Sequence, residues 1–312
     1  MNKIDRSWIQ GELLSFTSRS GIWLDGILYA PPEAVNSKGV IVHVHGSFGN
    51  FYTNRWLRRM ARIYVSAGFY FLVFNLSTHD GVAEAYVDRG EELKPEFTYV
   101  GHSIRDFNTF ADDIGGAVDF ARGINANVIL QGHSQGCDKI VGYAQTTGDA
   151  IPLVLFSPAD TKELYRRYVN DDKEFTKLDE ILALSPFSPP YDWLPIEAYG
   201  VNEPPSEIYQ IPICASALES LLRQGGNYLL DFKYGDNYYI DAPIFIFLGG
   251  QDGYQTCPAE EVFKYFESKF QSIHKLFMPE NDHELRRCAE VVAREVVSWA
   301  AGLLYPSSKE LS

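Results

Sequence analysis

Three residues of this 312-residue chain have the types and order needed for acyl chemistry: a serine between glycines, a carboxylate behind two glycines and a late histidine. The serine is Ser134, in Gln131-Gly132-His133-Ser134-Gln135-Gly136. A G-x-S-x-G pattern gains meaning from its setting, and here apolar Val128-Ile129-Leu130 runs into it while a helical pattern leaves it at Gln135. A tight strand-to-helix turn would strain Ser134 and point its Oγ off the C-terminal edge of a sheet. Gly132 and Gly136 would let the helix fold back close to the strand without Cβ collisions.

A serine hydroxyl needs a base to take its proton. Of the seven histidines, only His274 and His283 lie late enough for the chain order nucleophile, carboxylate, histidine that goes with such an elbow. His274 opens the run Lys275-Leu276-Phe277-Met278 and is expected at a strand end, facing solvent. His283 stands in the polar loop Pro279-Glu280-Asn281-Asp282-His283 and is the expected base. The carboxylate expected to orient it is Asp252, in Leu248-Gly249-Gly250-Gln251-Asp252-Gly253 after an apolar strand; Asp282 and Glu280, nearer in sequence, are expected to point elsewhere. Oxyanion donors are expected from the backbone N–H of Gln135 and from the loop His45-Gly46-Ser47-Phe48, with Ser47 the first choice and Gly46 and Phe48 beside it. The side chain of Gln135 is also placed to reach the site.

His43-x-His45 has the alternate spacing of a metal pair on one strand face. The residues that follow, Gly46-Ser47-Phe48-Gly49, supply no further ligand, so no metal is expected. No phosphate-loop or dinucleotide glycine pattern occurs, and no cofactor is expected. The four cysteines, Cys137, Cys214, Cys257 and Cys288, form no C-x-x-C pair and read as reduced thiols.

The elements that must position these residues alternate between strand and helix. Glu12–Ser18 and Ile22–Tyr29 read as a hairpin about Ser20-Gly21, Val40–His45 as a buried strand, and Trp56 to Tyr64 as a helix closed by Gly68. Strands at Phe69–Leu76, Asn127–Leu130, Ile151–Phe156, Pro243–Leu248 and His274–Met278 interleave with helices at Thr109–Gly123, Gln135–Thr146 and Pro258–Phe270. A last helix carries Leu285, Cys288, Ala289, Val292, Val296 and Trp299 on one face. This is the rhythm of a parallel α/β sheet. It breaks between about 160 and 241, a stretch dense in proline and tyrosine and too long for a plain loop. That stretch is either a separate small domain or, the preferred reading, a cap inserted over the sheet.

The formal net charge of −14 argues against nucleic-acid partners and weakly against anionic substrates, although a local basic pocket could override the global sign. No apolar run approaches the roughly 20 residues that span a bilayer, and the polar start lacks a secretory h-region, so a cytoplasmic protein is expected.

Together, His45-Gly46, Gly132-His133-Ser134-Gln135-Gly136, Gly250-x-Asp252 and His283 resemble the α/β-hydrolase superfamily, over nearly the whole chain. Gly132–Cys137 and Ser157-Pro158-Ala159-Asp160 look like the carboxylesterases and serine-aminopeptidase-like hydrolases, including relatives of siderophore esterases. The resemblance implies an eight-stranded, mostly parallel sheet flanked by helices, with 1–159 and 242–312 as core and 160–241 as a cap after the sixth strand. It implies a serine hydrolase acting on a small-molecule ester, less readily a thioester or amide. Two alternatives stand beside it: an acyltransferase, thioesterase or cyclase releasing an acyl chain, and a non-catalytic binding protein on a hydrolase scaffold.

Overall fold

The computed structural model describes residues 9–33, 35–90, 94–168, 193–199, 208–224, 228–232 and 237–305. Apolar runs become strands and amphipathic segments become the helices that cover them. In chain order the elements are β1 (Glu12–Thr17), β2 (Trp23–Tyr29), β3 (Gly39–Val44), α1 (Trp56–Ser66), β4 (Phe69–Phe74), β5 (Ala83–Val87), β6 (Glu96–Val100), α2 (Phe110–Ile124), β7 (Val128–His133) and α3 (Gln135–Thr147). Then follow β8 (Leu153–Phe156), α4 (Thr161–Tyr168), β9 (Trp193–Tyr199), β10 (Ile208–Cys214), α5 (Ala215–Glu219), β11 (Ile240–Gly249), α6 (Ala259–Glu267), β12 (Phe270–Met278) and α7 (Ala289–Leu304).

Eight strands form one sheet in the order β1-β2-β4-β3-β7-β8-β11-β12. The β1–β2 and β2–β4 pairings are antiparallel and the remaining five are parallel. This is the α/β-hydrolase fold. Side-chain alternation splits its core in two. Val40, Val42 and Val44 of β3 face a cluster that includes α2, α3 and α6, while Ile41 faces the cluster built on α1 and α7. Burial on both faces explains why β3, β4 and β8 read as continuous apolar runs.

The structure adds a hairpin that the strand–helix reading passes over. Strands β5 and β6, inserted between β4 and α2, pair antiparallel and touch the main sheet through an Ile22–Val87 bridge. It also moves His274. Strand β12 starts at Phe270, so His274 lies in its middle rather than at its end, exposed and stacked on Phe245 with ring centroids 5.0 Å apart. Between β8 and β11 the described residues form α4, the two-stranded β9–β10 ribbon and α5. Ile213, Leu218, Leu222 and Leu230 from this stretch belong to the same apolar cluster as α2 and α3. Among the described residues, no helix is long and apolar enough to cross a membrane.

Candidate active site

Ser134 occupies the turn between β7 and α3 with φ 56° and ψ −130°, a region that non-glycine residues avoid. The surrounding backbone holds it there: its N–H donates to Phe156 O at 3.0 Å, and its carbonyl accepts from Cys137 N at 2.8 Å. The flanking glycines are required by contact. A Cβ on Gly132 would sit 2.6 Å from the Gly136 carbonyl carbon, and one on Gly136 would run into the carbonyl oxygen of Val44. The strained, glycine-flanked strand-to-helix turn expected at Ser134 is therefore present, and Ser134 lines a cleft.

The β11 and β12 ends deliver the other two groups. Asp252 follows β11 and receives the Nδ1–H of His283 on both carboxylate oxygens, at 3.0 and 2.9 Å. Tyr254 N and Gln255 Nε2 also donate to it, at 2.9 and 3.3 Å. Burial pushes the Asp252 carboxyl up, but the bonds from His283, Tyr254 and Gln255 outweigh it and hold the group below the usual aspartate range. An ionised partner at Nδ1 fixes the tautomer that leaves the Nε2 lone pair of His283 available. Asp282 and Glu280 do not compete: Asp282 accepts from Glu284 N and Glu280 from Gln251 Nε2.

Ser134 and His283 line one cleft of about 630 Å³. Its lining includes Gly46, Ser47, Phe48 and Gln135, Leu164 and Tyr165 of α4, and Thr53 and Asn54. Gly46 packs directly on the serine, since a Cβ there would lie 2.9 Å from Ser134 Cβ. The backbone N–H groups of Ser47 and Gln135 have no hydrogen-bond acceptor among the described residues. The Gln135 side chain is buried, and neither its oxygen nor its nitrogen has a hydrogen-bond partner among the described residues.

Two residues that the sequence reading did not single out hold the base in place. His133 Nε2 and Ser157 Oγ both donate to the carbonyl oxygen of His283, each at 3.0 Å. The His133 ring packs against the His283 ring at 4.9 Å between centroids, and Tyr254 covers it from another side at 4.5 Å. Burial, with the nearby His283, pushes the His133 imidazole down to about 4. Both stand in segments that carry the family resemblance, His133 as an x of the motif and Ser157 in Ser157-Pro158-Ala159-Asp160, but neither segment signals a contact with His283.

A third group braces the loop that carries Ser47. Asp80 accepts hydrogen bonds from Asn50 Nδ2 at 2.6 Å, from the Tyr52 hydroxyl, and from His79 Nδ1 at 2.8 Å. Phe51 N donates to Asn75 Oδ1 at 3.0 Å, so residues 50–52 are tied to the segment after β4 at several points. Burial raises the Asp80 carboxyl, and the bonds from Tyr52, His79 and Asn50 more than reverse this.

His43 and His45 have separate partners. His43 Nδ1 meets Gln131 Nε2 at 2.9 Å, and its ring makes a T-shaped contact with Trp56 at 5.5 Å between centroids. His45 Nε2 accepts from Leu76 N at 3.1 Å while its Nδ1–H donates to Gly46 O. Burial drives both well below the ordinary histidine range. Among the described residues no three His, Cys, Asp or Glu side chains are grouped to hold a metal. The four cysteines are free thiols.

No protein-family model matches the sequence, and no curated protein matches it. Solved structures do. Est1E from Butyrivibrio proteoclasticus, solved with ferulic acid bound, is 16% identical with a TM-score of 0.60, over 91% of this chain and 96% of its own. Carboxylesterase CesB from Bacillus subtilis is 14% identical with a TM-score of 0.52, over 94% and 93%. XC6422 from Xanthomonas campestris, an α/β serine hydrolase without a lid, is 12% identical with a TM-score of 0.51, over 96% and 97%. At these identities the likeness is one of fold, and it agrees with the strand order in making this chain an α/β-hydrolase-fold protein.

Proposed function

We propose that this protein is a serine hydrolase that cleaves a carboxylic ester through an acyl-enzyme on Ser134. One observation carries the reading: a strained serine at a βα turn shares a cleft with a histidine whose Nδ1–H is held by an ionised aspartate. In this reading His283 Nε2 takes the Ser134 proton as Oγ attacks the carbonyl, then passes it to the leaving group. Asp252 stabilises the imidazolium. The N–H groups of Gln135 and Ser47 receive the oxyanion, beside the N-terminus of α3. Water then repeats the sequence to free the acid. Residues 160–241 act as the cap that shapes the cleft, with Thr161, Leu164 and Tyr165 its described contribution.

Apolar and aromatic walls from Phe48, Leu164, Tyr165 and Tyr254 suit an acyl group of some size. Because Est1E was solved with ferulic acid, phenolic-acid esters belong in the test panel beside aliphatic ones. The panel is run on wild type and Ser134→Ala, together with labelling by a fluorophosphonate probe. The variant is expected to lose on the order of 10⁴-fold in kcat and all labelling. Equal turnover by the two proteins would remove Ser134 from the mechanism.

A further inference from the structure

Six arginines lie on and around two packed helices of a chain whose net charge is −14, and one of them, Arg286, lines the cleft. Arg55, Arg58, Arg59 and Arg62 line one side of α1, opposite the buried Trp56, Leu57, Met60 and Tyr64. Arg286 and Arg287 lie just ahead of α7, which packs on α1. The two groups are stitched together, since Arg59 Nη1 donates to the Arg286 carbonyl at 2.6 Å. The acceptor is a neutral carbonyl, so the bond itself offsets neither guanidinium charge. Arg62 pairs with Glu290 at 3.2 Å, but among the described residues no carboxylate pairs with Arg55, Arg58, Arg286 or Arg287. Glu284, which lines the cleft beside Arg286, accepts from Trp56 Nε1 at 3.2 Å, and Asp282 accepts from Glu284 N at 3.1 Å; both keep their charge, but neither forms an ion pair with these arginines among the described residues.

The ledge starts where the cleft ends. Arg286 is itself a lining residue, and the lining pair Thr53–Asn54 runs directly into Arg55. Like charges kept together without partners destabilise a fold, which is understandable where a ligand neutralises them. Every cation on α1 is arginine, the side chain that grips phosphate with two parallel hydrogen bonds. Several such groups along two helical turns fit an anion with more than one charged centre. An extended polyanionic surface would meet the acidic bulk of the molecule, whereas a small polyanion samples only the potential within about a Debye length, roughly 8 Å at physiological salt.

We propose that this ledge binds the phosphates of the substrate's leaving half, so that the substrate is an acyl thioester of a phosphate-bearing thiol of the coenzyme A class. The inference rests on the acyl-enzyme reading above. Ser134 Oγ forms the new C–O bond, the C–S bond breaks, and the proton held by His283 goes to sulfur, releasing the free thiol. Water then cleaves the acyl-serine to the carboxylic acid, with no change of oxidation state.

The test compares butyryl-coenzyme A with butyryl-N-acetylcysteamine, which has the same acyl group and thioester without phosphates. Wild type is expected to favour the coenzyme A thioester in kcat/KM by roughly tenfold or more, a factor worth about 1.4 kcal/mol. That ratio should fall as sodium chloride is raised and approach one in Arg55→Gln/Arg58→Gln and in Arg286→Gln. Free coenzyme A should compete with p-nitrophenyl butyrate in wild type and lose this effect in the same variants. A ratio near one in wild type, or a ratio indifferent to salt and to the arginines, overturns the proposal. Turnover of p-nitrophenyl butyrate with neither thioester cleaved also overturns it while leaving the hydrolase reading intact. Inertness toward p-nitrophenyl butyrate and the fluorophosphonate probe alike would instead sink the hydrolase reading.

Discussion

Asp252 acts, in the proposed mechanism, by fixing a tautomer, and this separates its effect from that of mere burial. Both of its oxygens meet His283 Nδ1, and two further donors keep the carboxylate in place. Asp252→Asn preserves the shape but can present its NH₂ to Nδ1, favouring the tautomer with the proton on Nε2, where it cannot act as base. The expected result is a fall in kcat of about 10⁴-fold with an unchanged circular dichroism spectrum. A loss under tenfold would show that His283 finds its tautomer without Asp252. The carbonyl side of the same histidine yields a second expectation. Ser157→Ala removes one of two donors to His283 O and leaves His133 as the other. That should lower kcat roughly fivefold with little change in KM, since a net hydrogen bond contributes about 1 kcal/mol. Steady-state kinetics on a neutral ester would show it, and a rise in KM alone would mean that Ser157 shapes the cleft instead.

At the scale of elements, the elbow is a close-packing problem that glycine solves. Helix α3 approaches the end of β3 so nearly that Gly136 has no room for a side chain against the Val44 carbonyl. Gly136→Ala must therefore push α3 off the sheet or twist the turn. It is expected to cost at least about 1–3 kcal/mol, as overpacked cores do, and to reduce turnover through displacement of Ser134. Urea unfolding and kinetics on the same sample would check both, and wild-type stability would refute the close approach. This elbow could be read from sequence because one short segment contains all of its physics: an apolar strand, a glycine-flanked serine and a helix start. The same holds for β3, β4 and β8, whose two-sided burial writes itself as unbroken apolar runs. The β5–β6 hairpin leaves no such trace. Its inward side chains are Ala83, Ala85, Val87, Thr98 and Val100, while Tyr86, Phe97 and Tyr99 face outward, so the usual sense of the alternation is inverted. His274 was misplaced for a related reason. Strand β12 opens on the buried Phe270, but Gln271 and Ser272 after it are polar and exposed on this edge strand, so the apolar run starts late and the strand start is hidden. His133 and Ser157 act through contacts 150 and 126 residues away in sequence, which no local pattern records.

Across the whole molecule, two opposed sets of buried titratable groups govern the response to pH. His43, His45, His102 and His133 are held neutral by burial, with His102 pushed down to about 3 and His133 to about 4. Burial pushes the carboxyl groups of Asp113 and Asp160 up to about 6 and that of Asp138 up to about 8. The signs differ. A histidine depressed in the folded state contributes stability above its ordinary value of 6.5, and loses it as pH falls from there toward the folded value. An aspartate raised in the folded state contributes stability below its ordinary value of 3.8, and loses it as pH rises toward the folded value. Between about pH 4 and 6.5 the two sets therefore push wild-type stability in opposite directions, and single variants should expose each. His102→Asn removes a group that resists protonation, so its stability deficit relative to wild type should shrink as pH falls from 6.5 to 5, by about 1.4 kcal/mol for each unit. Asp138 accepts from Leu230 N at 2.7 Å and from Thr161 Oγ1 at 2.9 Å. Asp138→Asn replaces it by a neutral group of the same shape, so the variant should gain on wild type as pH rises from 5 to 8. Urea unfolding of the three proteins across that range measures both slopes. Parallel curves would show that neither group changes its proton affinity on folding, and slopes of the same sign would show that one of the two assignments is reversed.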